Sequence, residues 1–139
     1  MKSILSLVLV ILLAACGGNN IKPKALVGEW ENAYEKRRKD AKGEWSDWTT
    51  VTTYILLPSL EFTSDGDILW GGHTPTGCCT FTKYKVNKKT IKLSVPPVNA
   101  SCAAVNCAAC HEWTIEKLSN DILELNRCDE IIERYKRAN

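Results

Sequence analysis

After its initiator the chain has no methionine, and in 139 residues it has only two histidines. That removes methionine as an iron ligand and leaves few imidazoles from which to build a metal centre. No Gly-x-Ser-x-Gly, no His-Glu-x-x-His and no phosphate-cradling glycine loop occurs. The carboxylates are scattered over turns and strand edges, unpaired in any apolar setting, so the sequence reads as that of a binding protein and not an enzyme. Charge of one sign is also lacking: the formal net charge is +2, and leaving out Lys2 makes it +1. An electrostatically driven nucleic-acid binder needs a larger basic excess. No apolar run reaches the roughly 20 residues of a membrane-spanning helix, and there is no internal repeat.

What is present begins at the N-terminus. Met1, Lys2 and Ser3 precede an apolar run over residues 4–13, which closes with Leu13, Ala14, Ala15 and Cys16. A positive start, a short apolar stretch and small residues before a cleavage point describe an export signal. The Leu-Ala-Ala-Cys string resembles the lipobox of bacterial lipoproteins. The resemblance implies that residues 1–15 are removed and that Cys16 becomes an acylated first residue. The protein would then be held to a membrane of the bacterial envelope and face the periplasm or the cell exterior. Residues 16–25, rich in Gly, Asn, Lys and Pro, read as a tether, and residues 26–139 as one domain. The basic cluster Lys36, Arg37, Arg38, Lys39 and Lys42 is interrupted by Asp40 and reads as a solvated loop.

Within the domain the dominant pattern is short alternation. Leu60 and Phe62 alternate before Ser64, Asp65 and Gly66, and Ile68 and Trp70 alternate after them, which places a turn between two strands. Residues 81–86 and 90–95 flank Asn87, Lys88 and Lys89 as a second hairpin. Trp113, Ile115 and Leu118, then residues 122–125, then 130–137 read as three more strands. With opening strands near 27–34 and 48–56, the count is eight or nine, and antiparallel chains of this kind close to remove reactive edges. Helix has room only after Asn32 and in the alanine-rich segment 100–109.

Gly28, Glu29 and Trp30 form a Gly-x-Trp motif on the first predicted strand. With Leu26 before it and the stretches FTSDGDILW, YKVNKKTIKLSV and WTIEKLSNDILELN following in order, the chain resembles the small lipocalin-like lipoproteins of bacteria. The resemblance implies an all-β, antiparallel up-and-down barrel of about eight strands over nearly all of residues 26–137. Gly28 would allow close backbone approach at the closed end, Trp30 would plug it, and a late arginine would pack over the indole. Arg134 and Arg137 both stand in range; placing Ile132 inward favours Arg134. The family binds rather than catalyses, so a small apolar ligand in the barrel mouth, or an envelope protein, is the implied partner. Of the tryptophans at 30, 45, 48, 70 and 113, Trp48, Trp70 and Trp113 are the candidates for a ligand cavity, although aromatics in small barrels usually fill the core.

Setting Cys16 aside for lipid leaves Cys78, Cys79, Cys102, Cys107, Cys110 and Cys128. An even set in a small exported domain reads as disulfides, worth about 2–4 kcal/mol each. Adjacent Cys78 and Cys79, taken as strand residues, point to opposite faces and need different partners, in the 102–110 loop and at Cys128. The main rival reading is haem c. Cys107-Ala-Ala-Cys110-His111 matches the covalent attachment pattern, and His73 is then the only side chain available as the distal ligand. Zinc held by Cys107, Cys110, His111 and either Cys102 or Cys128 competes with oxidation, and a redox Cys-x-x-Cys lacks its usual strand-helix-strand setting. A second rival is an interaction or inhibitor module presenting the loops at 35–43 or 100–109.

The expected protein is thus a lipid-anchored binding module with no cofactor. Replacing Cys16 with serine should move it from the membrane fraction to the soluble exported fraction on centrifugation. Retention in the membrane fraction would refute the lipid anchor.

Overall fold

The structure, a computed structural model, describes residues 23–53, 55–94, 102, 105 and 110–139. The readings placed on Cys16, on Cys107 and on most of segment 100–109 lie outside these residues. A 3-10 turn, Lys24–Leu26, leads into β1 Gly28–Trp30, β2 Glu35–Arg38, β3 Thr49–Thr50, β4 Leu60–Phe62 and β5 Ile68–Trp70. There follow β6 Lys83–Asn87, β7 Thr90–Ser94, β8 Glu112–Leu118, β9 Ile122–Arg127 and β10 Ile131–Lys136.

Every strand pairing is antiparallel. One sheet runs β3-β2-β10-β9-β8-β7-β6 and the other β1-β4-β5. Two bridges join them: Trp30 to Arg137 links β1 to the end of β10, and Asp67 to Lys83 links the start of β5 to β6. β1 and β2 lie on one outgoing run and β3 and β4 on one returning run. The ring therefore closes through eight wall positions among the described residues, each beside its neighbour in sequence. This is the expected up-and-down antiparallel barrel.

The turns at 63–67, 87–89 and 119–121 share one end of the ring with the N-terminal 3-10 turn, and the longer connections share the other. At the first end Trp30 is fully buried and its Nε1 donates to the Leu26 carbonyl at 3.0 Å. The Arg137 guanidinium lies 3.8 Å from the Trp30 ring centroid. It donates to the carbonyls of Val27 at 3.0 Å, of Asn120 at 3.2 Å and of Ala25. Burial pulls the Arg137 pKa below the usual guanidinium range, with Asp121 opposing. Gly28 makes this closure possible: its φ is +126°, and a Cβ there would stand 2.6 Å from Arg137 Nη1.

The residue over Trp30 is thus Arg137, not Arg134. The expected phase of the last strand is inverted, because Tyr135 and not Ile132 faces the core. Ile132 is 2% exposed yet stands outside the core cluster, cross-strand from Arg37 on the outer face. Arg134 is on that outer face too, stacked 3.8 Å from the Trp48 centroid and bonded to Glu35 at 2.5 Å and Glu124 at 2.9 Å. Burial opposes the Arg134 charge, but the bonds to Glu124 and Glu35 outweigh it and raise its pKa.

Three further expectations change. Glu35–Arg38, read as a loop with room for helix, is strand β2, held between β10 and β3; its run of charges hides the pattern, and the Arg37 guanidinium rests 4.8 Å from Trp48 and 5.4 Å from Trp45. The strand expected over 48–56 shrinks to Thr49–Thr50, with Val51 N–H still donating to the Tyr34 carbonyl at 2.9 Å, and the described residues from 52 to 59 are not strand. Cys78 and Cys79 sit in a turn before β6 and not on a strand, with Thr80 N–H donating to the Gly77 carbonyl at 3.2 Å.

Replacing Gly28 with alanine should lower stability by about 1–3 kcal/mol, through left-handed backbone strain and displacement of Arg137. Urea denaturation followed by tryptophan emission measures this, and an unchanged midpoint would show that the closure does not need glycine.

Candidate functional site

Most of the ring is filled. Phe62, Ile68, Tyr84, Ile91, Leu93, Ile115, Leu123 and Leu125 are all buried in one cluster with Trp30 and Trp113. Phe62 and Tyr84 meet edge to face at 5.0 Å, and Tyr84 donates its hydroxyl to the Thr63 carbonyl at 2.7 Å. Nearer the end with the longer connections, the alternation that carries Leu123 and Leu125 inward also carries Arg127 inward. On β10 it carries Glu133 and Tyr135 inward. Charged side chains therefore stand on the core face.

Those charges are compensated locally. Arg127 Nη2 donates to the Tyr135 hydroxyl at 2.5 Å, and that hydroxyl donates to Glu133 Oε2 at 2.5 Å. Arg127 Nε lies 2.9 Å from the same carboxylate oxygen without hydrogen-bond alignment, so it is an ion pair and not a hydrogen bond. The Arg127 guanidinium packs 4.4 Å from the Trp113 ring centroid and 6.0 Å from that of Trp70. Burial raises the Tyr135 phenol well above its usual range, and the neighbouring Glu133 charge adds to this against Arg127. Burial, with Asp67, raises Tyr84 as well.

Against this polar floor lies a cavity of about 150 Å³, walled by Ala33, Leu57, Pro58, Leu60 and Trp70, with Asn32 at its edge. It sits where the chain between β3 and β4 departs from the sheet. That segment also exposes Ile55 and Leu56, at 74% and 98%. A cavity of this volume takes one ring-sized molecule.

Of the three tryptophans expected at a cavity, Trp70 lines it and Trp113 supports its floor from the core, but Trp48 is outside the ring with Arg134. Filling, the expected role for most of the aromatics, holds for Trp30 and Trp113. Arg127, Glu133 and Tyr135 were missed. Their signal was the continuation of the Leu123 and Leu125 phase onto Arg127, which a search for apolar alternation passes over.

No family model matches this chain, and no curated protein does. Among solved structures it is similar to a lipocalin-like protein from Bacteroides uniformis ATCC 8492. The two are 12% identical over 82% of this chain and 99% of that one, with a TM-score of 0.40.

The cysteines gather at the end of the ring with the longer connections. Cys78 is bonded to Cys102, and Cys110 to Cys128. Cys79 is disulfide-bonded as well. Cys128 therefore joins the turn before β10 to the start of β8, and not to the Cys78 segment as expected. In that turn Cys128 and Asp129 have φ of +61° and +56°, a left-handed pair without glycine. With its sulfur bonded to Cys128, Cys110 is not a free thiol, and the haem reading loses one of its two attachment points. His111 packs edge-on to Phe81 at 5.7 Å, while His73 is bridged to Trp70 through the backbone. Among the described residues no group of three or more His, Cys, Asp or Glu is placed to hold a metal ion.

The two buried phenols give a pH dependence. Their folded pKa values lie above the unfolded one of about 10, so their contribution is complete below that pH and is lost as pH rises beyond it. Stability should fall steadily above about pH 10, with Tyr84 and Tyr135 silent in 295 nm absorbance until unfolding. Full phenolate absorbance from all four tyrosines in the folded protein near pH 11 would contradict this placement.

Proposed function

We propose that the protein is a lipid-anchored, non-catalytic binding module of the bacterial envelope that holds one compact, ring-sized molecule in the cavity beside Trp70. The observation that carries this reading is that cavity, set in an otherwise filled antiparallel ring and floored by Arg127, Glu133 and Tyr135. Apolar walls with a few convergent polar groups are what small-ligand sites present. The Gly-x-Trp closure under a late arginine supports a lipocalin-like assignment. The disulfides support an oxidising, exported location, and the lipobox-like string ending at Cys16 supports attachment to a membrane there. The near-balanced charge supports a partner other than nucleic acid.

Ala33 is 7% exposed and faces the cavity, so leucine at this position should fill it. Tryptophan emission during titration with phenol, indole and benzamide should saturate in the exported protein. In Ala33→Leu the affinity should drop by roughly tenfold or more, about 1.4 kcal/mol, with the denaturation midpoint little changed. Equal binding by the two proteins would place the ligand elsewhere.

A further inference from the structure

The polar floor also restricts the chemistry of the ligand, an inference that rests on the cavity being the binding site. Arg127 has five N–H donors, of which one is used on Tyr135, and its Nε is misaligned with Glu133. Its Nη1 makes no hydrogen bond within the described residues. Glu133 Oε2 receives both the Tyr135 hydroxyl and the Arg127 contact, so Oε1 is the oxygen left to accept. Tyr135 both accepts and donates and is satisfied. The floor therefore offers spare donors on one residue and a spare acceptor on the next, both lining the same small space.

Their charges cancel. A carboxylate entering beside Arg127 meets the Glu133 carboxylate 2.9 Å from Arg127 Nε, and an ammonium entering beside Glu133 meets the guanidinium. Either ion also loses its hydration with no net opposite charge to compensate it. A neutral group carrying an acceptor next to a donor loses neither and satisfies both residues. Trp70 supplies a flat wall for the ring that bears it. We propose that the ligands are neutral ring-sized carboxamides, or the cyclic amides equivalent to them. The carbonyl accepts from Arg127 and the N–H donates to Glu133.

Four probes of one size test this on the exported protein at pH 7: benzamide, benzoate, benzylamine and toluene, titrated by tryptophan emission. Benzamide should bind at least roughly tenfold more tightly than each of the others. Glu133→Gln removes the charge that balances Arg127 and weakens the acceptor for the amide N–H, so the benzoate to benzamide affinity ratio should rise by about tenfold. Arg127→Gln should shift preference toward benzylamine instead. If no probe binds the wild-type protein, the cavity is not a ligand site and both readings fall. If benzoate, benzylamine or toluene binds the wild-type protein as well as benzamide does, the binding site stands and the carboxamide inference is overturned. The same inference fails if Glu133→Gln, folded by its denaturation curve, leaves the benzoate to benzamide ratio unchanged. The wild-type comparison needs no variant to fold.

Discussion

Arg137 lying on the face of Trp30 joins the last strand to the first, and the ring depends on that contact. A cation over an indole, shielded from water, contributes on the order of 1–2 kcal/mol, and here the same guanidinium also satisfies carbonyls of Ala25, Val27 and Asn120. Without a bridge between β1 and β10, the two sheets would expose edges. The need for Gly28 follows directly, since any side chain at that position occupies the space of the guanidinium.

The two ends of the ring are stabilised by different means. Tight turns and the Arg137 cap leave Trp30 fully buried at the first end. At the other end disulfides link the described cysteines of the connections: Cys78 to Cys102, and Cys110, before β8, to Cys128, before β10. Cross-links of this kind act largely by restricting the unfolded chain, and Cys110 also packs against the core cluster. The cavity beside Trp70 lies where the chain between β3 and β4 departs from the sheet, lined by Leu57 and Pro58.

Three arginines illustrate how one residue type takes different roles on the same two strands. Arg127 and Arg137 share the inward phase, and Arg134 has the outward one. Each stacks on a tryptophan, Arg127 on Trp113, Arg134 on Trp48 and Arg137 on Trp30. Inside, Arg127 is balanced by Glu133 and held by Tyr135. Outside, Arg134 is balanced twice, by Glu35 and Glu124, and with Arg37 it covers the outward-facing Ile132.

Alternation in runs such as Leu60 to Phe62 and residues 122–125 was legible in the chain, because a two-residue period is imposed by local backbone geometry alone. So were the Gly-x-Trp motif, the disulfide-forming character of the cysteines and the small net charge. The phase of a strand rich in both apolar and charged residues is not local. Ile131 and Ile132 offer two registers, and only the pairing of Tyr135 with Leu123 decides that Glu133 and Arg137 face inward. The cysteine pairs likewise depend on which connections the ring brings to one end. The sequence by itself determined an antiparallel, disulfide-linked chain. Tertiary structure decided which arginine caps Trp30, and it assembled Arg127, Glu133 and Tyr135 into a neutral floor, because charge compensation between strands exists only once their register is set.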